Sequence, residues 1–380
     1  MTGSKIFPLF LLGFTLGIAS GEILSKMVAL ILLSLAIIFI SLVWGNRKMV
    51  LIGFLLIVFS FGVLRFESSE FHYQKEVVNS LAQRIELTIN KTLPEPQSSL
   101  LAGLLLGIRR EMPASLLEDF SRTGTTHIIA LSGYNITIVA SVLMAFFGFL
   151  TIPRRHSFWL AIIGIVFFVW LAGFQVSLIR AAIMGVLVLV AIRSGRLYSV
   201  TNALVFAGAL MVLWDPFILL HNVSFQLSFL ATMGIIYLFP FFKRFGEILG
   251  MTLAAQFMVL PLIGYYFSEF SLISPLANIL ILPVIPVTML FGFFSTLAGF
   301  LWVPLAQILS IPAWLLLTYQ IKVVEILSRV PFASLELPQF HWLWLVFLYV
   351  IILLWILRKR GCSWLGLERL RSWLGLLRRT

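Results

Sequence analysis

Apolar runs long enough to cross a bilayer recur from one end of this chain to the other, and that recurrence leaves few folds open to it. A helix of about 20 apolar residues spans the hydrocarbon layer and satisfies its own backbone, whereas irregular chain or an open sheet edge does not. Runs bounded by charge, Pro or Gly fall near 6–20, 27–45, 49–65, 128–150, 157–174, 177–192, 199–214, 222–240, 247–267, 272–299, 301–321 and 340–357. Of the 380 residues 61% are hydrophobic and only 11% charged, against roughly a quarter charged in soluble domains. A soluble enzyme is thereby excluded. The expectation is an all-α polytopic membrane protein with about 12 transmembrane helices, the first the shortest.

The net charge of +12 reads first as orientation. With the N-terminus inside, the inner loops and tail hold Lys5, Arg47, Lys48, Arg154, Arg155, Arg193, Arg196, Lys243 and Arg244, then Arg358, Lys359, Arg360, Arg369, Arg371, Arg378 and Arg379. Only Glu247 and Glu368 accompany them. This asymmetry follows the positive-inside rule and puts both termini in the cytoplasm. The chain then divides into N-terminal spans over 1–65, an external segment over 66–127, a spanning domain over 128–357 and a basic tail over 358–380.

Two parts of the external segment are not simple spans. Val77, Leu81, Ile85 and Ile89 recur at helical spacing and predict an amphipathic helix over 76–91, lying on the bilayer surface. The run from Ser98 to Ile108 is too short to span and suits a re-entrant or interfacial segment ended by Arg109 and Arg110. In the tail, Leu367, Leu370, Trp373, Leu374 and Leu377 make one apolar face of a basic helix suited to anionic lipid.

Polar residues at membrane depth are costly unless they face a partner or water, so they are the candidates for function. In SRTGTTHIIALSGYNITIVA (121–140), His127, Leu131 and Asn135 stand four apart, with Ser132 and Gly133 between them. This is either a helix lining an aqueous path, with the Ser-Gly pair allowing close approach or a local break, or a small-residue packing motif with His127 at the interface. Arg180, three residues after Ser177, is a basic group well inside a span and calls for an acid, carbonyls, water or an anionic substrate, unless it snorkels outward. His221, Ser224, Ser228 and Thr232 share one side of a helix, with Asn222 and Gln226 adjacent, and Asp215-Pro216 before them reads as a helix stop and cap. Pro275, Pro283 and Pro286 interrupt the run that carries Asn278, as in helices that line transport routes or simply kink.

One cysteine, Cys362, and five scattered histidines offer no disulfide, no thiolate metal site and no paired ligand motif. No phosphate-binding loop or HExxH is present. No catalytic residue, cofactor or metal is expected.

At these same residues the sequence resembles the ComEC competence-protein family. The matching blocks are LLAGLLLGIRREMPASLLEDFSRTGTTHIIALSGYNITIV (100–139), SLIRAAIMG (177–185) with DP at 215–216 and SFQLSFLATMGI (224–235), and FSLISPLANILILPVIP (270–286). The resemblance implies a multi-pass inner-membrane channel that carries one DNA strand into the cytoplasm during transformation. It implies His127, Ser132, Gly133, Asn135, Arg180, Gln226 and Asn278 as residues of the DNA path, with Asn135 standing where many members carry His. Full-length members also have an external oligonucleotide-binding barrel and a metallo-β-lactamase-like domain. The segment from Glu67 to Pro96 is short for the former, and after Arg360 only a basic helix follows. A separate DNA receptor, nuclease and ATPase are therefore expected as partners, beside single-stranded DNA and membrane lipids. A transporter or flippase for another anionic substrate stays open on the same fold, as does a membrane enzyme using His127, Arg180 and Asp215.

Overall fold

The computed structural model describes residues 3–21, 24–42, 47–68, 79–108, 112–129, 131, 133–336 and 341–360. Every one of the twelve apolar runs falls on a helix or on two helices separated by a short break. In chain order these begin with α1 (Gly3–Ala19), α2 (Lys26–Leu42), α3 (Arg47–Glu67), α4 (Ser80–Thr92), α5 (Gln97–Leu106) and α6 (Ala114–Arg122). Then come α7 (Thr126–Ile129), α8 (Gly133–Phe149), α9 (Arg154–Leu171), α10 (Val176–Arg193), α11 (Val200–Trp214) and α12 (Ile218–His221). The last six are α13 (Val223–Phe242), α14 (Glu247–Phe267), α15 (Ser274–Ile281), α16 (Ile285–Leu301), α17 (Val303–Ser328) and α18 (Trp342–Arg360). The protein is a helical membrane protein. Among the described residues, 5 helices are long and apolar enough to cross a bilayer, or 6 if α15 and α16 are one broken span, and the other apolar helices are shorter.

The chain forms two compact units. The first comprises Met1–Leu116, Thr126–Phe229 and Leu282–Lys322. Here α3 packs against both α1 and α2, and α11 against α1 and α10. Glycines permit the closest approach: a Cβ on Gly17 would lie 2.0 Å from the Phe59 carbonyl oxygen, and one on Gly62 2.3 Å from that of Phe14. Membrane helices have no hydrophobic driving force toward one another, so small residues that let backbones touch carry such contacts. Arg65 at the end of α3 donates to the carbonyls of Leu213 (3.1 Å) and Trp214 (3.2 Å), satisfying the last turn of α11. A core of Leu131, Ile136, Ile165, Phe168, Val169, Leu178 and Ala181 binds α8, α9 and α10.

α4 overlaps the expected amphipathic helix and packs against α5 and α16, with Ala82, Ile89 and Thr92 buried, while Val77 lies outside the described residues. α5 is buried at every position from Ser98 to Leu106, so its partners are protein on all sides. Both of its ends are satisfied. At the start the Glu95 carboxylate accepts from the Ser98 hydroxyl at 2.6 Å and from that of Ser99; at the end Gly107 takes a left-handed conformation, φ 74°, and its N–H returns to the Gly103 carbonyl.

The second unit comprises Leu117–Thr125, Leu230–Ile281 and Val323–Thr380. α14 packs against α15 and α18, and Leu238, Ala254, Met258 and Ile356 form its core. The strands among the described residues are one pair, β1 (Glu269–Ser271) antiparallel to β2 (Ser334–Glu336). Three residues per strand is too short to show period-two alternation in sequence. The basic amphipathic helix expected in the tail lies outside the described residues, as do Arg109 and Arg110.

Candidate functional site: a groove at Arg180

The run around 128–150 is two helices, α7 and α8, with the break between Ile129 and Gly133. The helical face expected to join His127 to Asn135 therefore does not exist. His127 is exposed on α7, whereas Asn135 on α8 is 2% exposed. Its side-chain amide donates to the Leu104 carbonyl at 3.3 Å, one of the acceptors left over at the end of a helix. Two residues at the start of α10 do comparable work: Gln175 Nε2 donates to the Gly107 carbonyl (3.3 Å) and Ser177 Oγ to that of Leu131 (2.7 Å), inside the break. Three polar side chains thus hold the end of α5 and the gap before α8 in one arrangement.

That arrangement brings Gly133, the first residue of α8, against α10. A Cβ there would lie 3.2 Å from Arg180 Nη2 and 3.4 Å from the Ala181 Cβ. Arg180 is 8% exposed and does not snorkel to the surface. Its guanidinium carbon lies 5.9 Å from the centre of the Phe229 ring, within the range of a cation–π contact. It also lines a cavity of about 440 Å³ between α8 and α10. The walls are aliphatic (Ile136, Ala140, Met144, Met184, Val188, Leu189), with Thr137, Ser141 and Tyr198 as the polar partners. Burial pushes the Tyr198 phenol above its ordinary range, against the pull of the nearby Arg180 charge, so it stays a neutral O–H donor at physiological pH. The cavity combines one buried cation, neutral donors and a long apolar wall, which suits an anion with apolar substituents.

The other expected path residues among those described do not line this groove. Gln226 on α13 donates to the carbonyls of Leu219 (3.1 Å) and Leu220 (2.8 Å), and Asn222 Oδ1 accepts from the Phe225 N–H (2.9 Å). The two close the turn between α12 and α13. His221 ends α12, so it does not continue the Ser224, Ser228 and Thr232 side of α13. Asp215 caps as expected, accepting from the Phe217 N–H at 3.1 Å. Asn278 is 4% exposed on α15, in the second unit, and its Oδ1 has no hydrogen-bond partner among the described residues. Ser132 lies outside the described residues. Among the described residues no three His, Cys, Asp or Glu side chains are grouped to hold a metal. Gln175 and Tyr198 carried no sequence signal: one precedes a span, and the other follows a basic loop.

A model of the competence-protein family matches residues 104–361, which include α8, α10 and the groove. The chain is 29% identical to ComE operon protein 3 of Bacillus subtilis over 222 residues, 57% of this chain and 28% of that protein. It is 31% identical to competence protein ComA of Neisseria gonorrhoeae over 198 residues, 48% of this chain and 28% of that protein. Uncharacterized protein YcaI of Escherichia coli is 27% identical over 229 residues, 54% of this chain and 30% of that protein. The chain thus spans less than a third of the length of each of these relatives. No solved structure matches it. With more than half of its residues matched, the chain belongs to the competence protein family.

Proposed function

We propose that this protein forms the inner-membrane route by which single-stranded DNA enters the cytoplasm during DNA uptake. The observation that carries the reading is Arg180, a buried cation lining a groove within the segment that matches the competence family. Sparse cationic contact suits passage of a polyanion, since many Lys or Arg contacts would retain the strand through counterion release. Gly133 belongs with Arg180, because a side chain there would push the guanidinium away. Asn135 and Gln226 act on this reading by holding helix ends, and His127, Ser132 and Asn278 are further positions along the route.

The route takes the twelve-span form with both termini cytoplasmic, in which α10 begins at the outer face and ends at Arg193 inside. The protein acts as a conduit and not as an enzyme. Receptor, nuclease and motor functions belong to separate partners. An aliphatic groove with a single cation also favours a second reading, a transporter or flippase for a smaller anion. In naturally transformable cells that carry this gene, replacing Arg180 by Ala lowers cytoplasmic DNA about tenfold or more, the loss expected for ~1.5–3 kcal/mol from one charge-assisted hydrogen bond. Uptake that survives the change at wild-type protein level removes Arg180 from the route.

A further inference from the structure

We propose that the groove between α8 and α10 is also the seat of an anionic phospholipid, with its phosphodiester at Arg180 and one acyl chain along the aliphatic wall. The inference rests on the reading above only where that reading assigns Arg180 to a phosphodiester, not on the diester being that of DNA. In this arrangement the lipid holds the groove whenever no strand is passing.

Three observations favour a lipid as the resident ligand. First, the lining matches an amphiphile: one guanidinium stands among Ile136, Ala140, Met144, Met184, Val188 and Leu189, so a passing phosphate meets only the cation, whereas a resident ligand also gains from the aliphatic wall. Secondly, the groove is elongated. From Gly133 to Met144 along α8 is ~16 Å at helical rise, the form of a chain rather than of a compact anion. Thirdly, its rim is open: Met144 lines the groove and is itself exposed. Large exposed apolar side chains on a membrane helix face acyl chains rather than a water-filled passage. An amphiphile entering from that side finds Arg180 where its headgroup charge is neutralised, the arrangement by which basic pockets between membrane helices take anionic lipid. Tyr198, a neutral donor, belongs to the same lining.

The test uses the full chain purified in a neutral detergent, with phosphatidylglycerol or phosphatidylcholine of matched acyl chains added and retained lipid counted by native mass spectrometry. The wild-type protein retains about fivefold more phosphatidylglycerol, the preference expected of one cation at ~1 kcal/mol. Arg180→Gln abolishes the preference. Val188→Phe narrows the apolar stretch without touching charge and weakens retention of both lipids; unchanged thermal melting shows each variant folded. Equal retention of the two lipids by the wild type, or a preference that survives Arg180→Gln, overturns the proposal. A single-stranded oligonucleotide is then added to the lipid-loaded protein. Release of the lipid supports a phosphodiester site shared with DNA. If the preference depends on Arg180 but the oligonucleotide releases nothing, the lipid site stands and Arg180 leaves the DNA route, so the two failures are told apart. Oligonucleotide binding that needs Arg180 without any lipid preference overturns the lipid and keeps the route.

Discussion

Buried polar side chains decide most at the residue scale, because each has one satisfied arrangement. Asn135 gives its amide to the Leu104 carbonyl, and Ser177 its hydroxyl to that of Leu131. Hydrogen bonds between membrane helices average ~0.6 kcal/mol and reach ~1.7 kcal/mol. Asn135→Leu is therefore expected to lower stability by about 1 kcal/mol in a reversible detergent-unfolding experiment. Its effect on DNA uptake should match the loss of folded protein and no more, unlike that of Arg180→Ala. Gly107 is more sensitive: its φ of 74° disfavours any side chain, and a Cβ would lie 2.1 Å from Gln175 Nε2. Gly107→Ala should cost upward of about 1 kcal/mol, measured in the same assay, and Gln175→Ala should relieve part of that loss by removing the clash.

At the scale of elements, apolar runs located the helices, the Ser-Gly pair and Pro283 marked two of their breaks, and nothing marked the break at Asn222. The run 128–150 reads as one helix by composition, yet the helix stops at Ile129 and a new one starts at Gly133, with Ser177 of α10 supplying a partner to the Leu131 carbonyl in the gap. The Ser-Gly pair marked the possibility of a break in sequence; the partner that fills it comes from a distant part of the chain. Likewise the His221-to-Thr232 stripe presumes a helix through Asn222, where the Asn side chain caps a new one instead. The amphipathic face of Leu81, Ile85 and Ile89 was legible, but periodicity does not distinguish a lipid surface from the α5 and α16 surfaces that it meets. Tyr198 joins Arg180 only through folding. The α1–α3 contact is testable at this scale. Gly62→Leu puts a side chain where the Phe14 carbonyl stands, 2.3 Å from the Cβ position, and overpacking of that kind costs typically ~1–3 kcal/mol. Cross-linking between engineered cysteines on α1 and α3 should fall in that variant.

For the whole molecule, the charge asymmetry makes the topology a direct prediction. With Cys362 replaced by Ser, a cysteine at Glu118 should react with a membrane-impermeant maleimide in intact cells, and one at Gly195 only after the membrane is opened. The reverse pattern would invert the chain and place the Arg180 end of α10 inside. The most direct test of the central claim is uptake of fluorescent DNA by transformable cells with and without this gene, scoring DNA outside the inner membrane separately from DNA in the cytoplasm. The account predicts that deletion leaves surface-bound DNA in place and abolishes the cytoplasmic signal, restored by the wild-type gene. Unchanged cytoplasmic uptake in the deletion strain would contradict it and leave the Arg180 groove to another anionic substrate.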